Sequence, residues 1–419
     1  MPLGPITIYD KSTLESLSVD EAVWFSNFYR ANITPLFFVE TLADLEKEVA
    51  KGRTSEEVVG SIANKSLACG PDVNVYHGGL CFAELLGRKV EMRGVPAIGG
   101  GQPFELGGTR GVLFDRPPEV GALERWQRGE FLEVERRFAR KWREMLAGLD
   151  LDRGSRWLRQ MGMGKPRARD LAEVKAVADD LVRRDGWRYA TVKVACASLG
   201  VPEHGLKEVT ARWEKVGRPA LVEFAPLTAH VLIVDLFFYL GLLTGHISKE
   251  RPSNRVDIAY LYYLPFCMVF VSNDNLHARC VPLFLGKNQE FIRGQDLKAD
   301  LCRLDDLYSA FPAEVREQGV MKFAHYPPVE GDFLTTRLWD RFLPRWRENA
   351  AKPLELTPET QARLLAEMKR MKEAAERGGE GVGIDLDKAK AVIIRRQVPA
   401  RMGKWRLLPP EAEEAGKES

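Results

Sequence analysis

The chain predicts an α/β fold with an open sheet covered on both faces, and three observations carry that expectation. The run 267–271 (C-M-V-F-V) is unbroken apolar sequence of strand length, the mark of a strand buried on both sides. Around it, 253–277 alternates element types: a short helix capped by Ser253, a turn at Pro265, the strand, then Asp274 just past its end. At the other end of the chain, Pro5 to Tyr9 is a second β-rich run, and it too ends on an acid, Asp10. Open α/β sheets place their chemistry in the crevice beyond the carboxyl ends of their strands, so both acids fall where a site belongs.

Taken in order, the first strand is followed by a helix that Ser18 opens, with Glu21 completing a capping box and Trp24, Phe25 and Phe28 forming the apolar face. A brief strand near Ile33 leads into a helix with Thr34 as cap and Pro35 at its first position. On that helix Glu40 and Asp44 are four residues apart, so their carboxylates share a face. Residues 1–50 and 219–345 are read as one discontinuous α/β domain. The intervening 51–218 is read as a mostly helical insertion. Within it, 51–64 reads as an exposed helix and 69–108 as glycine-rich turns and short β-type runs. Residues 122–146 read as one long charged helix carrying Trp126, Phe131, Phe138 and Trp142, and 171–184 as another helix. In the second half, 228–244 is apolar nearly all round and reads as a buried helix, and Asp257 stands in the first turns of the helix after Ser253, where a carboxylate suits the helix dipole. Residues 346–419 form a charged helical or flexible region with an acidic end.

Composition bounds the function classes. The 419 residues are 45% apolar and 29% charged, as in an ordinary globular protein of two or three domains. A net charge of +2 supplies no global basic field, so only local patches can hold nucleic acid. Six scattered cysteines, with no C-x-x-C pair, exclude a zinc ribbon and fit reduced thiols in a cytosol. The start lacks the features of a signal peptide, and the apolar run at 232–243 is interrupted by Asp235 and too short for a bilayer. The expectation is a cytoplasmic protein without membrane contact.

Four acids then stand in order: Asp10 after a first strand, Glu40 on an early helix, Asp257 opening a late helix, and Asp274 after a late strand. In the segments I-Y-D (8–10), I-T-P-L-F-F-V-E (33–40), R-V-D-I-A-Y (255–260) and F-V-S-N-D (270–274), the chain resembles the PIN-like nuclease superfamily. The R-V-D-I-A-Y-L-Y-Y-L-P-F stretch also looks like one in uncharacterised bacterial proteins. The resemblance covers under a third of the chain, roughly 5–50 and 226–290. It implies a three-layer, Rossmann-like PIN-type parallel sheet with a large, mostly helical insertion, far longer than the compact family pattern holds. It further implies a ribonuclease or single-strand nuclease in which Asp10, Glu40, Asp257 and Asp274 bind Mg²⁺ or Mn²⁺ and drive phosphodiester hydrolysis.

The residue types agree with that chemistry, because hard divalent cations choose oxygen ligands and can activate the attacking water. Lys11, Ser12, Arg255, Asn273 and Asn275 are candidate contacts to substrate phosphate or water. Asp44, Asp235 and His277 are secondary candidates for the site. RNA or single-stranded nucleic acid is the expected partner, the 51–218 insertion is a surface for a protein partner, and homo-oligomers are compatible with the sequence. The alternative function is a catalytically inactive PIN-like scaffold that binds nucleic acid or protein. Plainer readings stand beside these: Asp10 and Asp274 are also residues that cap helices, Asp257 that complements a helix dipole, and His77-Gly78-Gly79 and Gly99 to Gly101 match turns better than phosphate loops.

Overall fold

A computed structural model describes residues 4–66, 71–99, 101–106, 109–114, 118–147, 156, 167–351, 366, 369–370, 373, 391–394 and 398–410. Strand β1 (Ile6–Tyr9) is followed by helices α1 (Lys11–Ser16) and α2 (Val19–Phe28), strand β2 (Arg30–Ile33), helices α3 (Pro35–Val49) and α4 (Ser55–Ser66), strand β3 (Asp72–Val73) and helix α5 (His77–Leu85). Strands β4 (Gln102–Leu106) and β5 (Thr109–Phe114) precede α6 (Pro118–Gln127), α7 (Glu133–Ala147), α8 (Leu171–Arg183), α9 (Arg188–Ser198), α10 (Glu203–Lys215), α11 (Leu221–Phe224) and α12 (Pro226–Thr244). After α13 (Asn254–Ala259) and a 3-10 segment (Tyr260–Phe266) come β6 (Val269–Ser272), α14 (Asn275–Cys280), β7 (Glu290–Arg293) and α15 (Gly294–Ser309). The later elements include α16 (Ala313–Arg316), α17 (Val320–Phe323), α18 (Leu334–Phe342), α19 (Trp346–Ala350), β8 (Ala391–Ile394) and the hairpin β9 (Arg401–Met402) and β10 (Trp405–Arg406).

The main sheet has five strands in the order β3-β2-β1-β6-β7, every neighbouring pair parallel. Ile8 lies opposite Asn32 on one side and Phe270 on the other. The chain steps outward from β1 through β2 to β3 in one direction, and β6 and β7 lie in the other. The strand order therefore reverses between β1 and β6, and the carboxyl ends of those two strands flank the resulting crevice. A three-stranded sheet, β4-β5-β8, and the β9–β10 hairpin lie apart from it.

Strand alternation divides the core in two. Ile6, Ile8 and Phe270 pack with α8, α9, α10, α12 and the Tyr260–Phe266 segment. Tyr9, Val269, Val271 and Ile292 pack on the other face with α2, α4, α15 and α18, in a cluster that also holds Trp24, Trp339 and Trp405. The result is an α/β/α arrangement with the parallel sheet in the middle layer. Helix α12 is long and apolar enough to cross a membrane, yet 83% of its most apolar window is buried within the protein, where it fills one of these layers. Asp235 interrupts its apolar run because Arg255 reaches it at 2.7 Å and the Tyr262 hydroxyl donates to it.

The structure agrees with the sequence reading at some element ends and corrects it at others. Ser18 and Glu21 form the capping box as read. Ser253 makes no side-chain cap, since it already has helical backbone angles, and the Thr34 hydroxyl is buried without a hydrogen-bond partner. The 51–64 region is not an exposed helix: α4 starts at Ser55 and buries Val58, Val59, Ile62 and Ala63. The 69–108 stretch contributes sheet strand β3 and a helix, α5, in which Gly78 and Gly79 are helical. The long helix read at 122–146 is two helices, separated where Gly129 takes a positive φ of 74°. Most of the basic stretch 153–169 and of the tail after 351 lies outside the described residues.

Candidate functional site

Asp10 ends β1 and caps α1, accepting the Thr13 backbone N–H at 2.8 Å. Its second carboxylate oxygen accepts the Ser12 hydroxyl at 2.9 Å and the Ser272 hydroxyl at 2.6 Å. The strand pairing that sets Tyr9 opposite Val271 delivers Ser272 to this place, one residue further along β6. Asp274 follows β6 and caps α14, accepting the N–H groups of Leu276 and His277, so the capping role and the site position coincide in both aspartates. The Ser272 hydroxyl oxygen in turn accepts the Asp274 N–H at 2.9 Å.

His277 joins this group from α14. Its Nδ1 stands 2.7 Å from the Ser272 oxygen and 3.7 Å from Asp10, and its Nε2 donates to the Asp257 carbonyl at 2.7 Å. Burial works against a charged imidazole here, but Asp10 and Asp257 together outweigh it and raise the His277 pKa to about 9. Burial likewise pushes Asp10 up, and His277, Ser272 and Thr13 together hold it below the usual carboxylate range.

Glu40 enters from α3, accepting the Tyr260 hydroxyl at 2.8 Å and the Lys11 backbone N–H at 3.4 Å. Burial, followed by the charge of Asp10, pushes its carboxyl up to about 8. Asp257 lies in the first turn of α13, and burial, with the charges of Asp274, Asp10 and Asp44 overcoming His277, pushes it up to about 7. Like charges gathered in a poorly solvated crevice favour the protonated forms. Glu40 thus feels the charges of Asp10 and Asp257, and Asp257 those of Asp274 and Asp10, at the edge where the strand order reverses. Among the described residues, however, no group of three or more His, Cys, Asp or Glu side chains is close enough to enclose a metal ion.

The candidate substrate contacts are placed unevenly. Ser12 faces Asp10. Asn273 packs on Gly294, where an added Cβ would stand 2.8 Å from its carboxamide carbon, and its amide oxygen has no hydrogen-bond partner. Asn275 is exposed and accepts Arg293 at 2.9 Å. Lys11 and Arg255, expected as phosphate contacts, are tied elsewhere. The nearly buried Lys11 ammonium lies 2.7 Å from Asp44 and 3.5 Å from Glu15. Arg255 is bound to Asp235 and lies over the Phe238 and Tyr262 rings. Both side chains sit where a neighbouring carboxylate repays the loss of solvent, which leaves little to offer a phosphate. Asp44 thus neutralises Lys11, and Asp235 belongs to α12's own ion pair.

Sequence reasoning missed the role of Tyr260 and the linking role of Ser272. The S-N-D segment held the signal for Ser272, because a hydroxyl two residues before an acid at a strand end can reach both that acid's N–H and the neighbouring strand's acid. Nothing in the sequence marked Tyr260 as a partner of Glu40, 220 residues away. The chain matches no protein-family model, no curated protein and no solved structure.

Proposed function

We propose that the chain is a metal-dependent phosphodiester hydrolase of the PIN-like kind, acting on RNA or another single-stranded nucleic acid. The observation that supports this most is electrostatic: around the crevice between β1 and β6, Glu40 feels the charges of Asp10 and Asp257, and Asp257 those of Asp10 and Asp274, acids carried by four different elements. The donor set is all oxygen, which suits Mg²⁺ or Mn²⁺. Mg²⁺ takes only one or two carboxylates, with water and substrate phosphate completing its shell, so three chelating side chains are not required. Asp257 and Glu40 are the residues that would hold it, since burial and like charge leave their carboxyls in want of a cation. When bound, the ion would polarise the phosphodiester and acidify the attacking water.

The protein's own groups have separable tasks. Ser272 and His277 fix Asp10 in one orientation, and the Tyr260 hydroxyl fixes Glu40. Asp274, held by the N–H groups of α14, adds a carboxylate just past the end of β6. The test is cleavage of single-stranded RNA with Mg²⁺ or Mn²⁺, lost in Asp10→Asn and Asp257→Asn proteins that still fold. Undiminished cleavage by both variants would remove the acids from the mechanism.

One observation favours the second reading, an inactive scaffold: Lys11 already places an ammonium beside Asp44 and near Glu40. Calorimetry with Mn²⁺ separates the two, since metal binding without turnover is the scaffold's outcome.

A further inference from the structure

An acid crevice repels the polyanion it would cut, so a strand settles there only if cations flank it. The two flanks differ. On the α3 side, Lys11 is neutralised by Asp44 and Glu15. On the α14 side, a cavity of about 290 Å³ opens against Asp274, with His246, Ser248, Arg251, Asn254, Asn273 and Arg279 in its wall. Arg251 and Arg279 are exposed. Among the described residues neither guanidinium is paired with a carboxylate.

The wall is held in shape by its own hydrogen bonds. Arg279 donates to the His246 carbonyl at 3.3 Å, and His246 Nε2 donates to the Ala168 carbonyl at 2.9 Å. Asn254 donates to the Ser248 carbonyl at 3.1 Å, fixing the segment that carries Arg251. Arg293 adds a third cation nearby, donating to the Asp274 carbonyl at 3.2 Å and to Asn275. Asn273 lines the same cavity, and its amide oxygen, buried beside Gly294, has no hydrogen-bond partner.

We propose that this cleft is a sugar–phosphate subsite for single-stranded RNA. Arg251 and Arg279 hold a phosphate adjacent to the one presented to the acids, and the strand leaves the crevice over α14 rather than over α3. The cavity has room for a sugar–phosphate unit, and guanidinium forks match phosphate oxygens in pairs. The assignment rests on the hydrolase reading of the neighbouring acids and adds to it the side by which substrate is held.

The experiment is fluorescence anisotropy of a short labelled single-stranded RNA with the full chain in EDTA, so that binding is read without cleavage. The Arg251→Ala/Arg279→Ala protein should bind roughly tenfold or more weakly, with an unchanged melting temperature. Its log–log salt slope should be shallower by about 0.7, the contribution of one neutralised phosphate on a single strand. Asp257→Asn should bind at least as tightly as wild type. A double variant that binds like wild type overturns the subsite, as does a wild-type protein that does not bind the RNA. Binding lost in the double variant with no wild-type cleavage in Mg²⁺ or Mn²⁺ keeps the subsite and removes the hydrolase. Cleavage that needs Asp10 but keeps its KM in the double variant does the reverse.

Discussion

His277 and Asp10 stand 3.7 Å apart in a buried crevice, and the Ser272 hydroxyl touches both. Counting protons fixes their states. His277 Nε2 faces a carbonyl, so it carries a hydrogen. The single Ser272 hydrogen goes to Asp10, so the contact at Nδ1 needs a hydrogen from the imidazole. The pair is an imidazolium and a carboxylate joined through a hydroxyl, with the Asp274 N–H filling the second acceptor position on that hydroxyl. Ser272→Ala removes all three contacts and leaves two charges and an N–H without their shared partner. The expected loss is about 2–4 kcal/mol in urea denaturation. A change under about 0.5 kcal/mol would mean that the link carries no weight.

Glu40 gives a variant expected to gain stability. Its folded pKa of about 8 lies above the ordinary value of 4.5, so the fold favours the protonated acid. The stability that this contributes is complete below about pH 4.5 and is lost as pH rises through 8. Glu40→Gln keeps the shape and an acceptor for Tyr260 while staying neutral at every pH. It should match wild type near pH 5 and exceed it by about 1–3 kcal/mol at pH 9. The same protein should show a smaller heat on Mn²⁺ addition. Equal stability at both pH values would show that neither burial nor Asp10 disfavours this carboxylate.

How much of this was legible depended on whether the interaction was local. The Ser18–Glu21 capping box spans three residues, and the sequence showed it. The strands at both ends of the acid set were readable from their apolar runs. Two other helix starts were not. The backbone N–H groups of Leu227 and Thr228 at the start of α12 are accepted by Glu84 of α5, and those of Leu334 and Thr335 at the start of α18 by Asp300 of α15. Those carboxylates come from distant sequence, so no local pattern announces them. In the site the four acids were readable as residues after strands and on helices, whereas the loss of Lys11 and Arg255 to Asp44 and Asp235 needed the fold. A cation beside an acid motif looks the same in sequence whether it faces substrate or a neighbour's carboxylate.

Asp305 offers a test of the packing that supports the sheet from behind. One of its oxygens accepts both the Trp24 indole at 3.0 Å and the Trp405 indole at 2.8 Å, and the other accepts Lys404. The two rings meet edge to face at 4.7 Å, so the β9–β10 hairpin is fastened to α2 through α15. Asp305→Ala strands two buried N–H groups at about 1–3 kcal/mol each. The expected loss is about 2–5 kcal/mol, with increased tryptophan exposure to a fluorescence quencher. Asp305→Asn, which keeps one acceptor, should recover part of it; equal effects of the two would assign the loss to charge and not to the indole bonds.

His230 supplies the acid limit of stability. It projects from α12, donates Nε2–H to the Leu261 carbonyl at 2.8 Å, and meets the Phe284 ring edge-on. Burial is the main reason its pKa falls from 6.5 to about 4, and the charge of Lys175 adds to it. The folded protein thus keeps the imidazole neutral in a range where the unfolded chain takes up a proton. Stability is unaffected above about pH 6.5 and is lost as pH falls from there towards 4, by about 1–3 kcal/mol for this residue. His77, also lowered to about 4 by burial, contributes in the same window. His230→Gln keeps an N–H within reach of the Leu261 carbonyl and does not titrate. Urea denaturation at pH 7 and pH 4.5 should therefore show a smaller acid loss in the variant, close to half of the part that the two histidines cause. An undiminished loss would place the acid sensitivity elsewhere in the protein.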